Sequence, residues 1–172
     1  MIPDIILQTA FVERPDALFR ELKDNVAWDE RLKARKTASF GVSYDYSGMS
    51  YPQTELPENL ARVGRDIEKT LGFYPNNCLL NYYPDGESSM GYHSDSSEEL
   101  APGTGVAIIS LGAERRISYR NKADKAHVVT YMLEHGALLY MDKGVQDRWM
   151  HAIPKMPGVG ERISLTFRLI LK

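Results

Sequence analysis

Apolar positions recur along this chain with two different periods. Residues 15–26 open with Pro15, which suits a first helical position, and set Ala17, Leu18, Leu22 and Val26 along one face. Residues 57–71 repeat the scheme, with Pro57 at the start, Leu60, Val63, Ile67 and Leu71 on the stripe, and Gly72 as a stop. After residue 77 the period shortens towards two. β-like runs follow at about 78–84, 105–111, 115–120, 127–133, 137–141 and 163–171, separated by Gly, Pro, Asn and Asp. Two helices ahead of a series of short strands predict one α+β domain over residues 1–172, its helices buttressing a sandwich or barrel.

One of these runs carries more than a fold. From Arg162 to Arg168 the alternation puts Arg162, Ser164, Thr166 and Arg168 on one face, and Ile163, Leu165 and Phe167 on the other. Leu169-Ile170-Leu171 continues without polar relief, so the strand is expected well inside its sheet, where two guanidiniums need anionic partners. A guanidinium fork meets a carboxylate through two parallel hydrogen bonds, so the pair suits a dicarboxylate. Asn81 and Tyr83 share a face of the 78–84 run and can donate to carboxylate oxygens. Core polar residues with private partners would look the same.

Composition narrows the setting. At 172 residues, with 43% hydrophobic and 26% charged positions, the chain has a globular balance. No stretch is long and apolar enough for a membrane span, so no membrane partner is expected. The first ten residues lack a basic head and carry Asp4, which does not read as a signal peptide. The single cysteine, Cys78, rules out an internal disulfide framework and points to a reducing, cytoplasmic setting; its neighbours Leu79 and Leu80 mark it as a buried structural thiol. A net charge of −2 argues against a broadly basic, non-specific nucleic-acid surface. It leaves room for a local groove. Arg31, Lys33, Arg35 and Lys36 precede Phe40, Tyr44, Tyr46 and Tyr51, a basic run followed by rings able to stack on bases. A solvated loop ahead of an ordinary aromatic strand is the equal alternative.

The candidate chemistry lies in His93-Ser94-Asp95. Residues two apart on a strand share a face, so His93 and Asp95 could grip one ion from a strand end. A polar loop is the competing reading, since Ser96, Ser97, Glu98 and Glu99 follow. A further ligand would come from His127, His135 or His151. His127 opens a strand and His135 precedes Gly136 in a turn, whereas His151 sits in apolar Trp149-Met150-His151-Ala152-Ile153-Pro154, as a ligand or as a satisfied core imidazole. Two imidazoles and a carboxylate are the ligand set of mononuclear non-haem iron(II) oxygenases.

In order and spacing these motifs resemble one family. Asn81-Tyr82-Tyr83-Pro84-Asp85-Gly86, Gly91-Tyr92-His93-Ser94-Asp95, Ser110-Leu111-Gly112-Ala113, His135-Gly136-Ala137-Leu138-Leu139, His151 and the stretch from Arg162 to Arg168 are similar to the AlkB family, from about residue 35 to the end of the chain. These are iron(II)- and 2-oxoglutarate-dependent dioxygenases, best known for oxidative dealkylation of nucleobases. The resemblance implies a double-stranded β-helix, or jelly-roll, core. It assigns iron to His93, Asp95 and His151, and the far carboxylate of 2-oxoglutarate to Arg162 with Asn81 and Tyr83 assisting. Arg168 would lie nearer the keto-acid end, beside Asp95, and Ser164 stands where many members place asparagine. Tyr44 and Tyr46 fall where members hold the target base, and Arg35 where some contact the nucleic-acid backbone. Three protein ligands leave positions for 2-oxoglutarate and dioxygen. Oxidation of an N-methyl base would release formaldehyde.

Two departures bear on substrate. DNA-repair members commonly carry an acidic residue just after His-x-Asp, near the base; here Ser96 and Ser97 follow, and Ser97 is the residue assigned to substrate. The segment from Trp28 to Arg35 is also short, where duplex-repairing relatives have a longer hairpin that inserts an apolar wedge. Without a wedge, the cost of flipping a base out of a duplex has less to offset it. The expected partner is therefore an alkylated, single-stranded nucleic acid, and the expected state is a monomer. Two alternatives remain: the same oxygenase chemistry on a small molecule or protein side chain, and a non-catalytic jelly-roll binding module. The full ligand set and both arginines argue against the second.

Overall fold

In the computed structural model, residues 1–46 and 49–171 are described, with the backbone alone for 44–46 and 49. The two predicted helices form as α1 (Pro15–Asn25) and α2 (Glu58–Leu71). Pro57 is the N-cap of α2 rather than its first residue, and Gly72 closes the helix in the left-handed conformation, its N–H bonding to the Glu68 carbonyl. The strands are β1 (Ile6–Gln8), β2 (Lys36–Gly41), β3 (Tyr44–Tyr46), β4 (Met49–Tyr51), β5 (Asn77–Tyr83), β6 (Met90–His93), β7 (Val106–Gly112), β8 (Arg115–Asn121), β9 (Val128–Leu133), β10 (Ala137–Met141), β11 (Trp149–Ile153) and β12 (Arg162–Arg168). A short helix, α3 (Lys143–Arg148), precedes β11; Asp142 caps it by accepting from the Val145 N–H at 3.0 Å.

The strands build a six-stranded sheet in the order β1-β10-β7-β12-β5-β2 and a four-stranded sheet in the order β6-β11-β8-β9, with β3 and β4 as a separate ribbon. All pairings are antiparallel, and the two sheets make the jelly-roll core with the helices packed outside it. The larger sheet has two unlike faces. Ile163, Leu165 and Phe167 of β12, with Cys78, Leu80 and Tyr82 of β5, pack against Leu18, Leu22, Leu60 and Ile67 of the helices. The opposite faces of the same strands look towards the smaller sheet across a second apolar cluster, which includes Ile117, Tyr119, Leu139 and Trp149. The polar face of β12 is thus the interior of the sandwich.

Gly112 shows how closely β7 and β12 are joined. Its φ is +92°, and a Cβ there would meet the Glu161 carbonyl oxygen at 2.4 Å and Arg162 Cα at 3.2 Å. Gly112→Ala is expected to lower the free energy of unfolding by about 2 kcal/mol or more, measured by urea denaturation.

Candidate active site

The site follows from which residues the two sheets turn inwards. Between them lies a cavity that reaches from His93, Asp95 and His151 at one end to Tyr83 and Arg162 at the other, with Ile108, Ile117 and Leu133 in its walls. β6 lies antiparallel to β11 with His93 opposite His151, and the two ring centres are 4.4 Å apart. Asp95 stands two residues beyond the end of β6. Ser94 Oγ donates to the Trp149 carbonyl at 2.7 Å, and the Asp95 N–H donates to Gln146 Oε1 at 2.9 Å. These bonds turn the chain so that the Asp95 carboxylate comes back between the imidazoles: Oδ1 is 3.7 Å from His93 Nε2, and Oδ2 is 3.5 Å from His151 Nε2. Gln146 Nε2 also approaches Oδ2, at 3.5 Å.

The chemistry of this donor set fits a metal ion. One ligand atom from each of the three residues lies within 4.8 Å of the others. His93 Nδ1 is 2.8 Å from the Gly91 carbonyl, so it carries the proton and leaves a lone pair on Nε2. Burial, with His93 and Arg168 adding to it against Asp95, lowers His151 to about 4, so its imidazole is neutral at pH 7. Burial alone would raise the Asp95 carboxyl, but Arg168, then His151 and His93, hold it below its ordinary value. A neutral imidazole and an ionised carboxylate are the ligating forms. The other two histidines serve the scaffold. His135 Nδ1 accepts from the Gly112 N–H at 2.8 Å, and the His127 ring packs against Trp149.

The far end of the cavity is cationic. Arg162, 1% exposed, donates from Nε to Ser110 Oγ at 2.9 Å and lies 5.0 Å over the Tyr83 ring. Its Nη1 is buried without a hydrogen-bond partner among the described residues. Burial pulls its pKa down, Tyr83 opposing and Arg115 adding to the effect. A buried guanidinium with a spare N–H calls for an anion. Ser164 faces Asn81 and Ser110 across the two neighbouring strands. Arg168 takes the metal end, its Nη2 3.4 Å from Asp95 Oδ1.

The residues assigned to substrate distribute differently. Arg35, half-buried, donates from Nε to Asn81 Oδ1 at 2.9 Å, which places it near the Tyr83 and Arg162 end of the cavity. Ser97 lines a separate depression with Thr104, Asp142 and Lys143, because the chain turns away after Asp95 and the Leu100 N–H bonds the Ser97 carbonyl. The Tyr44 and Tyr46 side chains lie outside the described residues. Of the basic run, Arg31 pairs with Asp29, and Lys36 with Glu30 at 3.0 Å. Tyr51 is buried, its hydroxyl 2.5 Å from Thr37 Oγ1, and Phe40 packs on the core.

Some working residues had little or no sequence signal. Ser110 was detectable as a polar residue inside the apolar run Ile108-Ile109-Ser110-Leu111. Gln146 was not, since it sits on a six-residue helix with no period of its own.

The description "2OG-Fe(II) oxygenase superfamily" belongs to a family model that matches residues 15–168. DNA oxidative demethylase ALKBH2 of Mus musculus is 32% identical over 179 residues, covering 91% of this chain and 75% of that protein. Alpha-ketoglutarate-dependent dioxygenase alkB homolog 3 of Bos taurus is 31% identical over 191 residues, covering 98% and 67%. The solved structure of OsALKBH1 shares the fold, with a TM-score of 0.72 at 18% identity over 98% of this chain and 99% of that one. The breadth of these matches, on a cavity with nitrogen and oxygen donors at one end and a buried guanidinium at the other, leads to one assignment: the chain belongs to the 2OG-Fe(II) oxygenase superfamily as an AlkB-like member, a dioxygenase that uses iron(II), 2-oxoglutarate and dioxygen.

Proposed function

We propose that this dioxygenase removes alkyl groups from nucleobase nitrogens in single-stranded nucleic acid. In this reading His93, Asp95 and His151 hold the iron. Arg162, Tyr83, Asn81 and Ser164 receive the far carboxylate of 2-oxoglutarate, and Arg168 attends the keto-acid end. The observation that carries the substrate class is the likeness, over 91% of the chain, to a protein named for DNA oxidative demethylation. Iron bound here supplies oxidation of a substrate C–H bond, coupled to conversion of 2-oxoglutarate and dioxygen to succinate and carbon dioxide.

The chain's own contribution is placement. Arg162 and Tyr83 fix one end of the co-substrate, so its keto-acid end can reach only the His93–Asp95–His151 end of the cavity. Ile108, Ile117 and Leu133 keep the space between them apolar. An N-methyl group hydroxylated beside this end becomes N–CH2OH, which breaks to N–H and formaldehyde. A preference for single strands is supported by the segment from Trp28 to Arg35. Its large apolar side chains are used inside the protein, Trp28 edge-on to Tyr82 at 5.3 Å and Leu32 against Tyr51 and Leu79, and so do not serve as a wedge. The protein is proposed to act as a monomer.

Gln146→Leu removes both amide contacts to Asp95. It is expected to weaken iron(II) binding by about 10- to 100-fold, read by metal titration.

The substrate proposal is tested by incubating the protein with iron(II), 2-oxoglutarate and N-methylated oligonucleotides, single-stranded and duplex, DNA and RNA. Formaldehyde should form in step with succinate, faster from single strands. A second reading places the same chemistry on a small molecule or protein side chain, and the pairing of Arg31 and Lys36 with surface acids and of Arg35 with Asn81 favours it. Succinate formation that no methylated oligonucleotide stimulates, and that yields no formaldehyde, would decide for that reading.

A further inference from the structure

Arg115 is a buried cation that the proposed reaction does not use. It stands on β8 at the inward face, 0% exposed. Its Nη2 donates to the carbonyl oxygens of Ser88 and Pro154, each at 2.7 Å. Its guanidinium lies 5.3 Å over the Tyr83 ring, the same ring that Arg162 approaches. Nε and Nη1 have no hydrogen-bond partner, and no carboxylate pairs with it among the described residues. Two carbonyls solvate the charge without neutralising it. Arg168 has Asp95 close by; Arg115 and Arg162 share an aromatic ring, and the one carboxylate that acts on Arg115, Asp85, does so through space without an ion pair. Burying an uncompensated guanidinium is costly, and such breaches of the packing rules gather at functional sites.

We propose that Arg115 is a positioning residue for the dicarboxylate co-substrate: a second fixed cation behind Arg162 and Tyr83 that makes this end of the cavity select a ligand with a far carboxylate. The inference rests on the reading of Arg162 as the carboxylate ligand. Arg115 stays outside the cavity lining and acts through Tyr83 and through its field on the space Arg162 faces, which the dry surroundings screen little. A plainer role is also open to it. Ser88 leads into β6 and Pro154 follows β11, so the bonds to their carbonyls could simply clamp the two strands that carry His93 and His151. The two roles differ in what they discriminate. A clamp affects every ligand of the metal end alike, whereas a charge affects only ligands that have the distant carboxylate.

The test is calorimetry of the full chain loaded with iron(II) under anaerobic conditions, comparing 2-oxoglutarate with oxalate, a chelate that has no far carboxylate. Arg115→Gln should weaken 2-oxoglutarate about tenfold and change oxalate by less than about twofold. Arg115→Lys keeps the charge and should hold the preference for 2-oxoglutarate within about threefold of the parent protein. Equal losses for both ligands in Arg115→Gln, or an unchanged 2-oxoglutarate affinity, would overturn the proposal. If the glutamine variant does not fold, Arg115→Met decides: a loss confined to 2-oxoglutarate supports the role of charge, and an equal loss for both ligands, or none, refutes it. Arg162→Gln runs beside them. If that variant keeps full 2-oxoglutarate affinity, it is the reading of the carboxylate site that fails, whatever Arg115 does.

Discussion

Asp95→Ala is expected to lower turnover at least about a thousandfold, and also to cost the fold about 3 kcal/mol. The first effect is the loss of the one anionic ligand of the donor set. The second comes from what the carboxylate neutralises. Arg168 is 2% exposed with Nη2 3.4 Å from Asp95 Oδ1, and both imidazoles converge on the same carboxylate. Alanine leaves that buried cation without its nearby anion. Urea denaturation of the metal-free protein isolates the stability term, and succinate formation reports the catalytic one. Adding Arg168→Met to Asp95→Ala should recover much of the stability and none of the activity, a non-additivity expected of two charges in contact. A metal-free single variant as stable as its parent would show that Asp95 does not carry this electrostatic load.

Arg162→Met is expected to separate function from stability in the opposite sense. The apparent KM for 2-oxoglutarate should rise about a hundredfold or more, because a desolvated bidentate partner for the far carboxylate is gone. The fold should become no weaker, and by up to about 1 kcal/mol stronger, because methionine fills a comparable volume without an uncompensated buried charge. Ser110 Oγ loses a donor, which limits the gain. Thermal unfolding and a 2-oxoglutarate titration of the rate measure the two effects. A large loss of stability would mean that Arg162 is held by more than Ser110 and Tyr83.

The elements that could be read from sequence were those with a strong, long period. α1, α2, β5, β7, β8, β9 and β10 appear within a residue or two of expectation, and β12 ends three residues earlier than expected, since each carries enough alternation or striping to identify it. The two strands that carry the histidine ligands could not be read. β6 is four residues long with no apolar alternation, and β11 is apolar on consecutive positions, which fits a helix segment or a strand equally well. The polar stripe of β12 was visible, but alternation has no sign: it shows that two faces differ, not which one is interior. Here the helices take the apolar face, and the polar face closes a sandwich whose other wall is the smaller sheet. For the same reason nothing in the sequence distinguishes Arg115 from an ordinary strand arginine. Arg35 reads as a surface base in the sequence because its acceptor, Asn81, is 46 residues away and is brought alongside only by β2 pairing with β5.

β6 is an edge strand. Its one neighbour in the sheet is β11, and the register between them is broken between His151 and Ile153. An ion held by His93 and His151 would work as a rivet through the rim of the sheet, adding to the ties that Ser94 makes to the Trp149 carbonyl and Arg115 to those of Ser88 and Pro154. Occupancy and rim closure are then a single equilibrium. Loss of the ion should then loosen Met90–His93, and fraying of that strand should weaken the ion's hold.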